Sequence, residues 1–158
     1  HLTKGALAEM RTLLVELRPT ALIEKPLGEL LGHLAAAASG QTRMPVRLRV
    51  EGETRLAPEM QVALYRIAQE ALNNVAKHAR AKEAWVNLRC GAKAGMLEVI
   101  DDGRGFDVVA SADAPEHLGL GIMRERAEAI GADFTVESLP GQGARVCVRW
   151  PNEGGGHS

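Results

Sequence analysis

Hydrophobic residues recur at helical spacing along much of the chain, most clearly over residues 57–79. A helix advances by about 100° per residue, so the apolar residues of this stretch fall on one side: Leu64, Ile67, Ala68, Ala71 and Val75. A second helix is predicted from Pro26, which suits a first helical turn, to Gly40. The same periodicity predicts a further helix of about 10 residues that starts after Gly121.

The chain opens on a leucine-rich pattern that Pro19 ends. Over residues 1–18 the leucines lie near helical spacing with charged residues between them. The pattern is already under way at the first residue and no capping residue precedes it. We therefore expect these residues to be the end of a longer helical element.

Alternating apolar and polar residues predict strands in the rest of the chain, beginning with residues 46–50. "AWVNLRC" and "MLEVID" are predicted to pair as a hairpin around residues 91–95, and "DFTVES" and "ARVCVRWP" as a second hairpin. Helices mixed with strand pairs that are joined by short turns indicate an α+β fold. We expect a sandwich with a mixed, mostly antiparallel sheet that helices cover on one face.

The composition narrows the class of function. The 158 residues include 19 Lys and Arg against 20 Asp and Glu, and aromatic residues are only 3%. This balance favours neither nucleic acid nor an anionic membrane as a partner. No apolar run approaches the roughly 20 residues needed to cross a bilayer. Cys90 and Cys147 stand singly in strand-like runs and are predicted to be reduced core thiols, so we expect a cytoplasmic protein.

The polar side of the 57–79 helix is the first candidate site. Glu70, Asn74 and Lys77 lie close together on it, with His78 at its edge. Most amphipathic helices have such a solvated side, but asparagine is a poor helix former and Asn74 stands in mid-helix. An amide oxygen beside a carboxylate suits Mg²⁺, which takes its remaining ligands from water and phosphate oxygens.

The stretch "IDDGRGFD" (100–107) is the second candidate. Its Asp-Gly pair is typical of a hairpin turn. The alternative is a ligand site, in which Gly103 and Gly105 let the backbone approach a small molecule that Asp101 binds. The stretch alone leaves both interpretations open.

Further glycine pairs occur in "HLGLGIMRERA" and "PGQGARV". Gly119 and Gly121 immediately precede a predicted helix, where converging N–H groups and the partial positive charge of a helix N-terminus favour phosphate. An ordinary flexible loop is the alternative. Gly141 and Gly143 are typical of a hairpin turn.

Taken in order, "QEALNNVAKHA", "DDGRGFD", "HLGLGIMRERA" and "PGQGARVCVRWP" resemble the N box, the two G boxes and the final glycine box of sensor histidine kinases. That ATP-binding domain belongs to a superfamily with gyrase, Hsp90 and MutL. "MRERA" and "LVELRP" resemble the nitrate-sensor-like subfamily. The resemblance covers nearly the whole chain and implies a Bergerat-type α/β sandwich, ATP and Mg²⁺ as ligands, and histidine protein kinase activity.

The resemblance implies a role for each matching residue on the adenine side of the site. Asp101 would accept a hydrogen bond from the adenine amino group, and Gly103 and Gly105 would give the base room. Gly141 and Gly143 would complete this part of the nucleotide site.

On the phosphate side, the resemblance implies that Asn74 ligates Mg²⁺ and that Glu70 orients or activates the group at the γ-phosphate. Lys77 and His78 would lie near the phosphates, and the two glycines of "HLGLG" would close a lid over them.

The resemblance also implies the organisation and partners of the chain. Residues 1–18 would be the remnant of a second dimerisation helix, 19–151 the ATP-binding catalytic domain and 152–158 a flexible tail. The partners would be ATP, the protein's own dimerisation and histidine-acceptor domain in a homodimer, and a response regulator with a LuxR-type DNA-binding domain. No direct binding to nucleic acid is expected. The location would be cytoplasmic, as a free protein or as part of a membrane-anchored sensor.

The chain departs from the family pattern in its final glycine box and its histidines. Ala144 stands where the family often has threonine, which puts one hydroxyl contact in doubt. The phosphoacceptor histidine belongs on a first dimerisation helix, and no histidine here has that context: His1, His33, His78, His117 and His157. We therefore expect the chain to bind ATP without an acceptor of its own.

Two other functions remain as alternatives. An anti-sigma-type serine kinase belongs to the same superfamily, but "LVELRP" argues against it. A nucleotide-binding interaction module without catalysis is the other, and the presence of Glu70, Asn74 and Asp101 argues against that.

Overall fold

The computed structural model describes Ala6 and residues 20–52, 56–108 and 118–151. The helices are α1 (Ala21–Glu24), α2 (Leu27–Thr42), α3 (Pro58–Asn74) and α4 (Leu118–Ala129), and a π-helical turn (Val75–Ala79) directly follows α3. The strands are β1 (Val46–Glu51), β2 (Ala84–Cys90), β3 (Ala94–Asp101), β4 (Asp133–Ser138) and β5 (Ala144–Pro151). The predicted dimerisation-helix remnant at 1–18 lies outside the described residues apart from Ala6, and the predicted tail lies wholly outside them.

The strands form one five-stranded sheet in the order β1-β2-β3-β5-β4. β1 runs parallel to β2, and every other neighbouring pair is antiparallel. The pairs β2–β3 and β4–β5 are joined by short turns, so both predicted hairpins are confirmed. The parallel pair needs a crossover connection, and α3 lies in it. The predicted mixed, mostly antiparallel sheet is confirmed.

The two faces of the sheet differ in polarity. Leu88 and Leu97 are paired across β2 and β3, and both are buried on the inner face. The helices lie on that face, since α2 contacts β1 and β2, α3 contacts β3, and α4 contacts β4. The outer face is polar and includes an ion pair between Arg145 and Glu98 at 2.6 Å. Among the described residues the predicted cover of helices on one face is confirmed.

α3 buries the side that the apolar pattern predicts, and each residue of the predicted stripe is at most 7% exposed. The helix begins at Pro58, where the missing N–H of proline costs nothing. At its other end the backbone widens into the π-helical turn, which Arg80 ends at φ 51°. Such π turns are frequent at functional sites, and Asn74 is the last α-helical residue before this one.

The predicted end of α2 at Gly40 is wrong, because the helix continues to Thr42. The Thr42 hydroxyl donates to the Ala38 carbonyl at 2.8 Å, which satisfies an acceptor in the last turn. Arg43, at φ 57°, then adopts the left-handed conformation that ends many helices and is usually supplied by glycine.

The predicted start of α4 after Gly121 is also wrong. The helix begins at Leu118, so Gly119 and Gly121 lie inside its first turn. Glycine has a low helix propensity, but tertiary packing overrides propensity. Gly119 is buried against α3, as described below.

Cys90 and Cys147 are not joined in a disulfide, as predicted; Cys147 is 1% exposed and Cys90 is half-buried. Within the described ranges, none of the helices has the length and apolar character needed to cross a membrane.

Candidate functional site

A cavity of about 300 Å³ lies between α3, its π-helical turn, α4 and the strands β3 and β5. Most of its wall is apolar, formed by Ala71, Val75, Ala79, Val99, Phe106, Leu120, Ala144 and Val146. Polar side chains line the rest: Asn74, His78, Asp101 and Arg104. A concave, mainly apolar surface with a few polar groups is typical of a small-molecule site. A second groove of about 500 Å³ runs along β4, and none of the predicted site residues lines it.

Asp101 ends β3 and is 6% exposed. One carboxylate oxygen accepts a hydrogen bond from the Gly103 N–H at 2.8 Å. The backbone N–H of Ala144, its partner in the β3–β5 register, lies on the same side and favours the charged form of the carboxylate. Burial raises the pKa of Asp101 above its ordinary value; the Gly103 and Ala144 N–H groups oppose that rise, and the charge of Asp102 adds to it. The carboxylate is therefore held in a fixed direction at the cavity wall.

Asp102, the next residue, is exposed and has a different environment. One of its carboxylate oxygens accepts hydrogen bonds from the backbone N–H groups of Lys82 at 2.8 Å and Glu83 at 3.0 Å. Its own N–H donates to the Glu83 carbonyl at 3.3 Å. Asp102 therefore ties the loop that follows the π-helical turn to the end of β3.

Close backbone contacts explain the glycines around Asp101. The Arg104 N–H donates to the Ala79 carbonyl at 2.7 Å. A Cβ at Gly103 would lie 2.1 Å from that same carbonyl oxygen, and a Cβ at Gly143 would lie 2.1 Å from the carbonyl oxygen of Asp101. Any side chain at either glycine would therefore push apart the backbones that form the cavity wall.

Glu70 and Asn74 meet the first turn of α4 at one end of the cavity. A Cβ at Gly119 would lie 2.3 Å from a Glu70 carboxylate oxygen and 3.2 Å from the Asn74 amide nitrogen. Glycine therefore lets the start of α4 lie against these side chains as they stand, whereas a larger residue would displace the carboxylate of Glu70. A carboxylate and an amide beside a helix N-terminus fit a hard cation together with phosphate oxygens.

The structure brings most of the predicted site residues together. Four of them line the cavity: Asn74, His78, Asp101 and Gly105. Four others pack directly behind it or at its end: Glu70, Gly103, Gly119 and Gly143. The remaining predicted residues are exposed and are not among those that line it: Lys77, Gly121 and Gly141.

Sequence reasoning did not assign nine of the thirteen lining residues to the site, among them Arg104, Phe106 and Leu120. Arg104 stands between two glycines of "DGRGF", and Leu120 between two glycines of "GLG". A side chain flanked by glycines at a close backbone turn was the available signal. Ala144, noted as a departure from the family pattern, also lines the cavity.

Residues 59–154 match the family described as histidine kinase-, DNA gyrase B-, and HSP90-like ATPase. The chain is 38% identical over 151 residues to the sensor histidine kinase YhcY of Bacillus subtilis strain 168, covering 96% of this chain and 38% of that protein. It is 36% identical over 143 residues to the sensor protein VraS of Staphylococcus saprophyticus, covering 90% of this chain and 40% of that one. The chain thus spans about two fifths of the length of these relatives.

Solved structures with the same fold include domains of histidine kinases. The histidine kinase domain of the Erythrobacter litoralis EL346 blue-light activated histidine kinase superposes with a TM-score of 0.68 at 22% identity, over 98% of this chain and 77% of that one. The catalytic domain of the histidine kinase ThkA superposes with a TM-score of 0.60 at 15% identity, over 80% and 94%. The predicted Bergerat-type sandwich is confirmed by these neighbours.

The hydrogen bonds of Asp102 predict a structural rather than a ligand-binding effect. Asp102→Ala removes the acceptor for two backbone N–H groups, and we expect it to lower the free energy of unfolding by about 1 kcal/mol. Denaturant unfolding measures this loss. Asp133→Ala, at another exposed acid, is the control and should change stability by less than about 0.5 kcal/mol. Equal stability of the two variants would contradict the role given to Asp102.

Proposed function

Because the chain belongs to the histidine kinase-, DNA gyrase B-, and HSP90-like ATPase family, we propose that its cavity binds Mg-ATP. We further propose that it serves as the catalytic part of a histidine protein kinase. In that role the γ-phosphate passes to a histidine on the dimerisation domain of a homodimer and then to a response regulator. The names of the relatives, one a sensor histidine kinase and the other a sensor protein, support this assignment.

The finer proposals rest on shorter motifs. "MRERA" and "LVELRP" support the nitrate-sensor-like subfamily, and with it a response regulator that carries a LuxR-type DNA-binding domain. The proposed location is the cytoplasm, as a free protein or as the cytoplasmic part of a membrane-anchored sensor. The proposed catalytic domain is residues 19–151.

The observation that carries the proposal is the buried carboxylate of Asp101 in a mainly apolar cavity. An exocyclic amine is the complementary donor for a fixed carboxylate, and adenine presents one on a flat apolar ring. The apolar wall around Asp101, including Val99 and Val146, suits the faces of such a ring.

The opposite end of the cavity supports phosphate binding and transfer. Asn74 would hold Mg²⁺ through its amide oxygen, and the ion would neutralise charge on the phosphates. Glu70 of α3, whose carboxylate lies against the first turn of α4, would orient the attacking histidine and accept its proton as the phosphate is transferred. Nucleotide phosphates at this end would face the N-terminal turn of α4, whose partial positive charge favours anions.

Phosphotransfer in trans tests this function. The chain, Mg-ATP and a separate protein that carries an acceptor helix should yield acid-labile phosphate on histidine. Glu70→Gln should lower the rate about 100-fold or more while ATP still binds, because general base catalysis typically contributes at least that factor. Acid-stable phosphate on serine would support the anti-sigma-type kinase instead. Bound ATP with no phosphotransfer would support a non-catalytic module.

Nucleotide selectivity tests the role of Asp101. We expect ATP to bind more tightly than GTP, because guanine presents a carbonyl oxygen where adenine presents an amine. In Asp101→Asn the side-chain amide can turn its NH₂ group toward the amino group of adenine, so that two donors face each other. This substitution should weaken ATP binding by about 1–3 kcal/mol. Titration calorimetry measures both effects, and Asp102→Asn, at the exposed neighbour, is the control. Equal affinity of the unchanged chain for ATP and GTP would remove the basis of this assignment.

The magnesium dependence of ATP binding tests the role of Asn74. In Asn74→Ala we expect the affinity for ATP to gain little from added Mg²⁺, because the amide ligand is gone. Asn73→Ala is the matched control, since Asn73 is exposed on the same helix. Calorimetry with and without Mg²⁺ gives the comparison. A magnesium effect as large in Asn74→Ala as in Asn73→Ala would assign the ligand to another residue.

A further inference from the structure

A buried glutamine joins the first described helix to α3. The side chain of Gln61 is on α3, and the residue is 8% exposed. Its amide nitrogen donates to the Leu22 carbonyl at 2.6 Å and to the Lys25 carbonyl at 2.7 Å. Leu22 itself is 1% exposed in the core. The contact between α1 and α3 thus combines hydrogen bonds with apolar packing, and it joins residues that are more than 30 positions apart in the sequence.

Local sequence explains why these carbonyls need a partner from elsewhere. In a continuing helix the Leu22 carbonyl would accept from residue 26, but that residue is Pro26 and has no N–H. The Lys25 carbonyl loses its helical partner as well, because the Glu29 N–H donates to Pro26 instead. Leu22 lies in the single turn of α1, and Lys25 lies in the link between α1 and α2. The single side chain of Gln61 satisfies both carbonyls.

The same helix links this contact to the candidate site. α3 is unbroken from Pro58 to Asn74. Gln61 and Asn74 are therefore about 20 Å apart along one rigid element, at 1.5 Å per residue. Among the described residues, α1 packs on α3 and the chain then passes directly into α2. Residues 20–25 are thus hydrogen-bonded, through Gln61, to the helix that carries Glu70 and Asn74.

We propose that Gln61 is a positioning residue that couples residues 20–25 to nucleotide binding. The coupling rests on the proposed function, with Mg-ATP as the ligand. A nucleotide held between α3 and α4 restricts the motion of α3, so less conformational entropy is lost when residues 20–25 dock on Gln61. By linkage, docking of residues 20–25 strengthens nucleotide binding by the same factor.

Hydrogen exchange with and without a non-hydrolysable ATP analogue and Mg²⁺ tests the coupling. In the unchanged chain we expect the analogue to slow exchange in residues 20–25 by about fivefold or more. Gln61→Met keeps the length and apolar body of the side chain and removes both N–H donors. Gln61→Met should speed hydrogen exchange in residues 20–25 and abolish the slowing that the analogue causes. It should also weaken the affinity for the analogue, measured by calorimetry, by a similar factor.

The matched control is Gln69→Met, the same substitution on the same helix, where a local hydrogen bond from Arg66 is lost. It should behave as the unchanged chain does. Gln61→Asn, whose amide is one methylene too short to reach both carbonyls, gives an intermediate effect and serves if Gln61→Met does not fold. Slow exchange in β3 and β5 reports that each variant is folded.

Each outcome separates the coupling from the proposed function. If calorimetry detects no binding of the analogue to the unchanged chain, the proposed function itself is wrong. If the analogue binds but exchange in residues 20–25 does not change, the coupling alone is overturned. Equal loss of the slowing in Gln61→Met and Gln69→Met would also overturn it, because the effect would not belong to Gln61.

Discussion

The contact between the Gly103–Gly105 turn and the end of the π-helical turn is the constraint on which the candidate site depends. The Arg104 N–H reaches the Ala79 carbonyl at 2.7 Å, and only a residue without Cβ can stand at position 103. This contact sets the distance between Asp101 on the sheet and the polar side of α3. The wall of the cavity forms because those two backbones can touch. If they moved apart, the carboxylate of Asp101 and the amide of Asn74 would no longer line one cavity.

The same turn places two chemically identical carboxylates, those of Asp101 and Asp102, in different environments. Asp101 and Asp102 are adjacent, yet one is buried at the cavity and the other binds backbone N–H groups in solvent. The difference follows from strand alternation, since successive side chains point to opposite faces. Asp101 points to the inner face with Val99, while Asp102 has left the strand. An acid pair at a strand end can therefore present one carboxylate to a cavity and use the other to join two backbone segments.

Much of the fold and part of the site could be predicted because they depend on local pattern. The apolar stripe of α3, both hairpins and the location of Asn74 and Asp101 follow from periodicity and turn chemistry. Contacts between distant segments could not be predicted in this way. Gly119 packs on Glu70 of α3, and Phe106 and Leu120 line one cavity because the fold brings the loop after β3 to the first turn of α4.

Gln61 is a buried polar residue whose role also could not be predicted from local sequence. In sequence it reads as one more polar residue of an amphipathic helix, and nothing local marks it as buried. Its partners are carbonyls left open by Pro26, more than 30 positions earlier. The family roles of Glu70, Asn74 and Asp101 stay predictions, although the structure gathers these side chains at one cavity and its edge.

The parallel pairing of β1 with β2 has a consequence for how the protein acquires its shape. The hairpin β2–β3 pairs Cys90 with Gly95, whereas β1 pairs Val46 with Ala84 across the whole of α3. Contacts that close long loops form more slowly than local ones. The β2–β3 and β4–β5 hairpins can therefore form early. The crossover that carries Glu70 and Asn74 reaches its final position when β1 pairs with β2. The two hairpins are themselves joined by a pairing over a longer stretch of sequence, Asp101 of β3 with Ala144 of β5, so a newly made chain can form both hairpins before it has either a complete sheet or a cavity.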